Sequence, residues 1–358
     1  MTQPPCALIM AGGTGGHIFP GLAVAEALRA QGWRVHWLGA PDSMESRLVP
    51  ERGFAFEPVQ FGGVRGKGAL TLALLPLRLQ RAFWQSWRVM RRLHPDVVLG
   101  LGGYISFPGG MMSVLAGAPL LLHEQNSVAG MANRVLAQVA DRVFTAYPNA
   151  LPKGEWIGNP LRAAFTEQPA PAQRFAGRSG PLKLLVVGGS LGAKALNEVV
   201  PQALARIAPE RRPQVTHQSG AKQIEALRAA YASAGVQATL TPFIDDTASA
   251  FAAADLVLAR AGASTVSELA AVGAASILVP FPHAVDDHQT HNARFLVDAD
   301  AAWLLPQAQL QPDDLAQRLQ HLSRTELQQR AERAHAQART GAVAALLQAC
   351  QRYAPQTP

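Results

Sequence analysis

Three hydroxyl side chains and a carboxylate crowd into Ser264-Thr265-Val266-Ser267-Glu268, directly after Arg260-Ala261-Gly262-Ala263. The preceding apolar run Asp255–Ala259 is short and bounded, the pattern of a buried strand. The turn then opens a helix for which Ser264, Thr265 and Ser267 are the expected caps. Amides without intrahelical partners, together with the positive end of the helix dipole, make a seat for an anion at Ala263–Ser267. Glu268, about one turn in, can accept from a donor pair such as the two hydroxyls of a ribose. A second apolar run, Ala275–Val279, leads to Pro280–His283 and the polar string Asp286–Asn292. Anion seat, diol acceptor and polar loop suit a nucleotide carrying something polyhydroxylic. Taken alone, the stretch reads equally well as an ordinary helix start.

A second chemical candidate is His17, inside Gly12-Gly13-Thr14-Gly15-Gly16-His17-Ile18-Phe19-Pro20-Gly21. Histidine is the side chain most easily tuned to remove a proton near neutral pH. The turn is a loose match to a dinucleotide fingerprint: G-x-G-x-x-G needs glycine at 18, where Ile18 stands, and no acid ends the second strand. That disfavours a nicotinamide enzyme. The turn Gly188-Gly189-Ser190-Leu191-Gly192 lacks the Gly-Lys-Ser/Thr ending of a P-loop, which disfavours ATP or GTP hydrolysis. The acid pairs Asp245-Asp246 and Asp286-Asp287 are poorly spaced to share a metal. Charge on a leaving diphosphate would then fall to helix N-termini and arginine. Among the other histidines, only His123 and His288 end or follow strands.

The elements that must position these residues are strands alternating with helices. Cys6–Ala11 reads as a buried strand running into the first glycine turn, followed by a helix through Ala30. Val35–Gly39, Asp96–Gly100 and Pro119–His123 read as further strands, with a glycine turn at Gly100–Gly103. Between about Leu151 and Leu182 the texture turns to proline, glycine and short polar pieces, a domain boundary. The theme then repeats: strand Lys183–Val187, glycine turn, helix from about Ala193, strands near Gln214–His217 and Thr239–Thr241. Glu326–Tyr353 reads as a final helical stretch returning to the first domain. With 358 residues the chain suits two domains. The class is α/β, with functional loops at the carboxyl ends of parallel strands.

Composition narrows the partners. A net charge of +7 favours phosphate groups, an anionic membrane surface or nucleic acid. Two cysteines, Cys6 and Cys350, form neither a metal spacing nor a disulfide framework, as in a reducing compartment. The opening residues carry no basic n-region, so no secretory signal is expected. No apolar run approaches the roughly 20 residues that span a bilayer. From Pro58 to Pro95 there is no acidic residue, while Arg65, Lys67, Arg78, Arg81, Arg88, Arg91 and Arg92 are present. Arg78, Arg81, Arg88 and Arg92 share a helical stripe, with Leu79, Phe83, Trp84, Trp87 and Met90 around the rest. That describes an interfacial membrane helix, or a surface helix whose aromatic side packs on the sheet. The absence of acids favours the anionic surface.

Gly12–Gly21, Gly102-Gly103-Tyr104, His123-Glu124-Gln125-Asn126, Gly158-Asn159-Pro160, Gly188-Gly189-Ser190, Phe243-Ile244-Asp245 and Thr265–Glu268 occur in this order. Together they closely resemble the motifs of the MurG family of bacterial transferases, in glycosyltransferase family 28, over nearly the full chain. The resemblance implies a GT-B fold: two Rossmann-like domains whose parallel sheets face a central cleft. Residues 1–160 would form the acceptor- and membrane-facing domain, 161–340 the UDP-N-acetylglucosamine domain, and a helix near 341–358 would pack back onto the first. The implied reaction moves N-acetylglucosamine to the 4-hydroxyl of undecaprenyl-pyrophosphoryl-N-acetylmuramoyl-pentapeptide, with inversion, in peptidoglycan synthesis.

Carried onto this chain, Ser190 and the helix start Ala263, Ser264, Thr265, Val266 and Ser267 would meet the diphosphate, and Glu268 the ribose. The backbone near Ile244 would read the uracil. Gln289 and Asn126 would hold the sugar, and Arg162 would contact donor or diphosphate. Thr14, Gly15 and Gly16 would sit beside sugar and acceptor, and His17 would be the base, with Glu124 or a residue near Tyr104 as substitutes. Two departures stand out: His288 where the family commonly has glutamine, and Ser264 in place of an aliphatic residue. The resemblance implies no cofactor, no metal and no nucleic acid. It implies peripheral residence on the cytoplasmic face of the plasma membrane and contacts with other cell-wall synthesis proteins. Other readings are a diacylglycerol glycosyltransferase, a lipid A disaccharide synthase, a UDP-N-acetylglucosamine epimerase, or a non-catalytic nucleotide-sugar-binding protein.

Overall fold

The computed structural model describes residues 4–63, 73–189 and 192–355. The chain forms two compact units, 1–162 with 339–358, and 163–338. In the first, seven strands are β1 (Cys6–Met10), β2 (Arg34–Gly39), β3 (Ala55–Pro58), β4 (Val97–Gly100), β5 (Leu120–Glu124), β6 (Arg142–Thr145) and β7 (Glu155–Trp156). They form one sheet in the order β3-β2-β1-β4-β5-β6-β7, and every pairing is parallel. In the second unit, β8 (Lys183–Val187), β9 (Gln214–Gln218), β10 (Thr239–Thr241), β11 (Leu256–Ala259), β12 (Ser276–Leu278) and β13 (Ala302–Leu304) form a parallel sheet in the order β10-β9-β8-β11-β12-β13.

The central strands are buried along their whole length, as CALIM in β1 and LVLA in β11. Helices cover both faces of a parallel sheet, so its inner strands read as continuous apolar runs rather than alternating ones. In each unit the strand order reverses beside the first strand, between β1 and β4 and between β8 and β11. The loops leaving those neighbours turn to opposite faces, and the space between them is where such sheets hold ligands. The loops meet backbone against backbone. At the first reversal point Gly103, at φ +88°, would set a Cβ 2.4 Å from the Gly12 carbonyl oxygen, while in the second unit Gly192, at φ +76°, would set one 2.0 Å from that of Ser219 in the loop after β9. Only glycine fits at either place.

The helical C-terminal stretch is two helices, Arg324–Ala336 and Ala342–Gln351. The break carries the chain from one unit into the other. Gly158, at φ +87°, makes room for it, since a Cβ there would stand 2.3 Å from the Arg339 carbonyl oxygen, and the Arg339 guanidinium lies over the Trp156 ring at 4.4 Å. The last helix packs on the Gly15–Ala30 helix, with Leu346, Ala349 and Cys350 in one core with Leu22, Ala25 and Leu28. Burial pushes the Cys350 thiol up to about 12.

In the second unit, Arg174 donates to the carbonyls of Ala252 and Val272 at 2.8 and 2.7 Å, closing the carboxyl ends of the helices Thr247–Ala253 and Ala263–Val272. Asp255, at the start of β11, accepts from the Lys183 amide at 2.9 Å, from Arg178 at 2.6 Å and from Arg324 at 3.2 Å. Burial alone would raise its carboxyl, but these donors outweigh burial and hold it below the ordinary range. A depressed carboxylate stabilises the fold above its unfolded pKa of about 3.9 and loses that contribution as pH falls through the lower folded value. Removing one partner of a buried ion pair typically costs about 3–5 kcal/mol. Urea denaturation of Asp255→Ala is expected to show a loss on that scale at neutral pH, and a shallower decline than the parent below about pH 4. Equal stability of the two proteins at pH 7 would contradict this account.

Candidate active site

At the reversal point of the first unit, Thr14 is the N-cap of the Gly15–Ala30 helix, in an extended conformation and without a side-chain cap bond. Gly15 and Gly16 follow as the first two helical residues, and the His17 amide returns to the Thr14 carbonyl at 3.1 Å. The half-buried His17 ring lies against Gly102, where a Cβ would sit 3.0 Å from its Cε1 and Nδ1. Its Nδ1 is 2.6 Å from the Oε1 of Gln125. Gln125 Nε2 contacts His123 Nδ1 at 2.9 Å and the His123 carbonyl at 3.0 Å, and His123 Nε2 contacts the Gly158 carbonyl at 2.8 Å. Both intermediaries are fully buried. Burial, partly offset by the Gly158 carbonyl, lowers the His123 pKa to about 4, so its ring is neutral.

Glu124 points elsewhere. Its buried carboxylate accepts from the Asn126 amide at 2.8 Å, Asn126 Nδ2 at 3.2 Å, the Gly130 amide at 3.2 Å and Asn133 Nδ2 at 2.9 Å. Four donors on one carboxylate mark it as the organiser of the 124–133 loop, which corrects the expectation that it could stand in as a base. One of these bonds takes one N–H of the Asn126 side-chain amide, which carries two. A second buried carboxylate, Glu45, lies beneath the glycine turn, accepting from the Gly13 amide at 3.2 Å and the Ala40 amide at 3.3 Å. The Gly13 amide is therefore closed to a phosphate.

In the second unit the helix Ala263–Val272 starts from Gly262, which has no side-chain cap bond. This corrects the expectation that Ser264, Thr265 and Ser267 cap it: they lie inside the first turns. Val266 is fully buried and its amide bonds the Gly262 carbonyl at 3.0 Å, so it offers an anion neither side chain nor donor. What remains is the first turn, with the amides of Ser264 and Thr265. The Ser264 hydroxyl is buried without a hydrogen-bond partner among the described residues. Thr265, Ser267 and Glu268 are half-buried along the helix that follows.

Around this helix the polar groups are braced from behind. Arg260 donates to the carbonyls of Val279 and Pro280, both at 3.2 Å, and to Gln307 Oε1 at 2.7 Å, while its guanidinium lies 5.6 Å from the Phe281 ring centre. Burial lowers its pKa. Gln289, the second residue of the His288–Val297 helix, accepts the Phe281 amide on Oε1 at 2.8 Å, which aims its NH2 group the other way. Gln218 clamps the second glycine turn: Oε1 accepts from the Gly189 amide at 3.1 Å, and Nε2 donates to Gly189 at 3.1 Å and Pro242 at 3.0 Å. That ties the turn to the segment holding Ile244, which is half-buried beside the exposed Phe243. Arg162 is exposed at the end of the first unit's main segment. Ser190 lies outside the described residues, as do Arg65 and Lys67. Among the described residues no group of three or more His, Cys, Asp or Glu side chains could hold a metal ion.

Residues 7–145 match the glycosyltransferase family 28 N-terminal domain and residues 183–347 its C-terminal domain. A crystal structure of MurG from Acinetobacter baumannii superposes with a TM-score of 0.86 at 40% identity, covering 98% of this chain and 100% of that one. The chain belongs to the MurG branch of glycosyltransferase family 28. Its fold is the two-domain GT-B fold. A relative from Paracidovorax citrulli (strain AAC00-1) is 69% identical over 98% of this chain and 99% of its own length, and one from Ralstonia nicotianae is 61% identical over 97% and 96%. Both carry the name UDP-N-acetylglucosamine–N-acetylmuramyl-(pentapeptide) pyrophosphoryl-undecaprenol N-acetylglucosamine transferase. A kitacinnamycin glycotransferase at 16% identity and a TM-score of 0.70 shares the fold. Within the family 28 fold, Gln125, Glu45 and Gln218 were not singled out by sequence. Gln125 had a local signal in its place beside His123, whereas Glu45 and Gln218 reach their targets from 32 and 29 residues away.

Proposed function

We infer that the chain is an inverting glycosyltransferase that moves N-acetylglucosamine from UDP-N-acetylglucosamine to the 4-hydroxyl of undecaprenyl-pyrophosphoryl-N-acetylmuramoyl-pentapeptide. The observation that carries the reading is that both reversal points are equipped, each for a different task. The second unit offers an uncapped helix start with Glu268 along it, suited to a diphosphate and a ribose. The first offers no open amide at Gly13 but a histidine held by a buried chain of partners. Relatives at 61–69% identity that bear this transferase's name support the same conclusion.

In the reaction the acceptor oxygen forms a bond to C1 of the donor sugar as the bond from C1 to the diphosphate oxygen breaks. His17 takes the hydroxyl proton, and the electron pair leaves with UDP. The amides of Ser264 and Thr265, with Ser190, would meet the growing diphosphate charge. Glu268 would accept from the ribose hydroxyls, the Ile244 backbone would read the base, and Gln289 would present its NH2 group to the sugar. Thr14, Gly15 and Gly16 would border the acceptor, and Arg162 would contact donor or diphosphate. UDP release measured with UDP-N-acetylglucosamine should require the lipid-linked muramoyl acceptor. His17→Ala should lower that turnover by about 10²-fold or more while donor affinity changes little. Near-parent turnover across pH would place the base elsewhere.

Glu268→Ala should weaken the donor. Hydrogen bonds to a charged group are worth about 1.5–3 kcal/mol, or roughly ten- to a hundred-fold in affinity. Calorimetric titration that returned the parent affinity would remove Glu268 from the site.

We also propose that the first unit binds anionic membrane through the helix Leu75–Leu93. Ala82, Ser86, Val89 and Met90 are buried on its inner side, against the Ser106–Leu115 helix. Phe83, expected to dip into the membrane, packs on Phe107 with ring centres 5.9 Å apart, and Arg92 pairs with Glu57. The outward apolar groups are Trp84, 57% exposed, and Leu77, 63% exposed, among the exposed Arg78, Arg81 and Arg88, with Arg88 lying 4.8 Å over the Trp84 ring. No helix among the described residues is long and apolar enough to cross a membrane. A peripheral seat on the cytoplasmic face suits an acceptor whose lipid stays in the bilayer. Each arginine near such a surface contributes about 1 kcal/mol, weakened by salt. Replacing Arg78, Arg81 and Arg88 with glutamine should lower co-sedimentation with phosphatidylglycerol vesicles by about 10²-fold in affinity. Unchanged sedimentation at low and moderate salt would sink the assignment.

A further inference from the structure

We propose that Gln125 and His123 are positioning residues that fix the His17 ring in the one tautomer able to take a proton, with Nδ1 protonated and the lone pair on Nε2. This rests on the reading of His17 as the base. The argument starts from two backbone carbonyls, which can only accept. The Gly158 carbonyl, 2.8 Å from His123 Nε2, requires a proton on that nitrogen. The neutral ring then carries its lone pair on Nδ1. The His123 carbonyl, 3.0 Å from the Gln125 side-chain nitrogen, requires that end of the amide to be NH2. That group also donates to His123 Nδ1 at 2.9 Å, the atom already shown to be an acceptor. Gln125 therefore turns its oxygen to His17, and at 2.6 Å an amide oxygen can only accept from Nδ1–H. Every proton along the chain is set by these two carbonyls. Flipping the amide would put two acceptors together at the His123 carbonyl, and flipping the tautomer of His123 would do so at Gly158.

The relay differs from a carboxylate behind a histidine. Gln125 orients the ring but brings no charge to stabilise the imidazolium. The titratable group facing His17 from β5 is His123, which is neutral. Glu124 on the same strand turns to Asn126, Gly130 and Asn133, and Glu45 turns to Gly13 and Ala40. The outer end of the relay is secured by Gly158, whose conformation also admits the Arg339 carbonyl.

The test is a cycle on the full chain with two replacements at Gln125, each checked for folding by thermal unfolding. Gln125→Met removes the acceptor at similar volume and should lower kcat at least about tenfold, with the KM for donor little changed. In a His17→Ala background the same replacement should have no further effect, because a positioning residue acts through the group it positions. Gln125→Glu keeps an acceptor on His17 Nδ1 but loses both donors to His123, so the activity it retains should be reduced and should show the acid limb of the kcat–pH profile moved up by about 1 unit. If Gln125→Met lowers kcat equally in both backgrounds, and Gln125→Glu leaves the acid limb where it was, Gln125 is merely structural and the proposal is overturned. If His17→Ala alone leaves kcat unchanged, the base reading fails first, and the relay fails with it. Loss on His17→Ala with parent-like Gln125→Met and Gln125→Glu overturns only the relay.

Discussion

A parallel sheet that winds both ways leaves a gap at its middle, and that gap is the constraint on which both units depend. The neighbouring strands β1 and β4, or β8 and β11, send their loops to opposite faces. What lies between β1 and β4 must be backbone, because a side chain there would collide with main-chain atoms, as at Gly103. Bare backbone brings unpaired amides and carbonyls, and buried ones must find partners. The units resolve that obligation differently. In the first, the anionic Glu45 fills the turn from below. In the second, the neutral Gln218 satisfies both sides of Gly189 in the turn after β8.

The difference is electrostatic as much as geometric. A buried carboxylate beneath Gly12 and Gly13 makes the first reversal point inhospitable to a second anion close by. The same topology without that carboxylate keeps its positive helix end available. Two copies of one architecture thus differ in the charge set at their glycine turns. The neutral Gln125 fits the proposed role of His17, since a base that must gain and then lose a proton is not helped by a partner that holds the charged form too firmly.

How much of this was legible in the sequence follows from the range of each interaction. The apolar runs of β1, β8 and β11 and the glycine turns after them are local, and they emerged close to where the pattern put them. So did His17 and the helix carrying Glu268. The capping of that helix did not, because Ser264 and Thr265 satisfy the composition rule, while Gly262 takes the position through its backbone geometry. Arg92 and Phe83 read as part of a free amphipathic surface, yet their partners Glu57 and Phe107 lie on other elements, beyond any periodicity.

The path of the chain has a consequence for how the molecule is made. Leu346, Ala349 and Cys350 belong to the core that also holds the helix beginning at Gly15, and the whole of 163–338 is threaded between. On a ribosome, where domains close as they emerge, the unit begun first is finished last. Its apolar face over Leu22, Ala25 and Leu28 stays uncovered while the entire second unit is synthesised. The second unit, continuous in sequence, can close on its own before the first is sealed. Closure of the first unit therefore waits for the helix Ala342–Gln351, which the chain supplies only after the whole of 163–338.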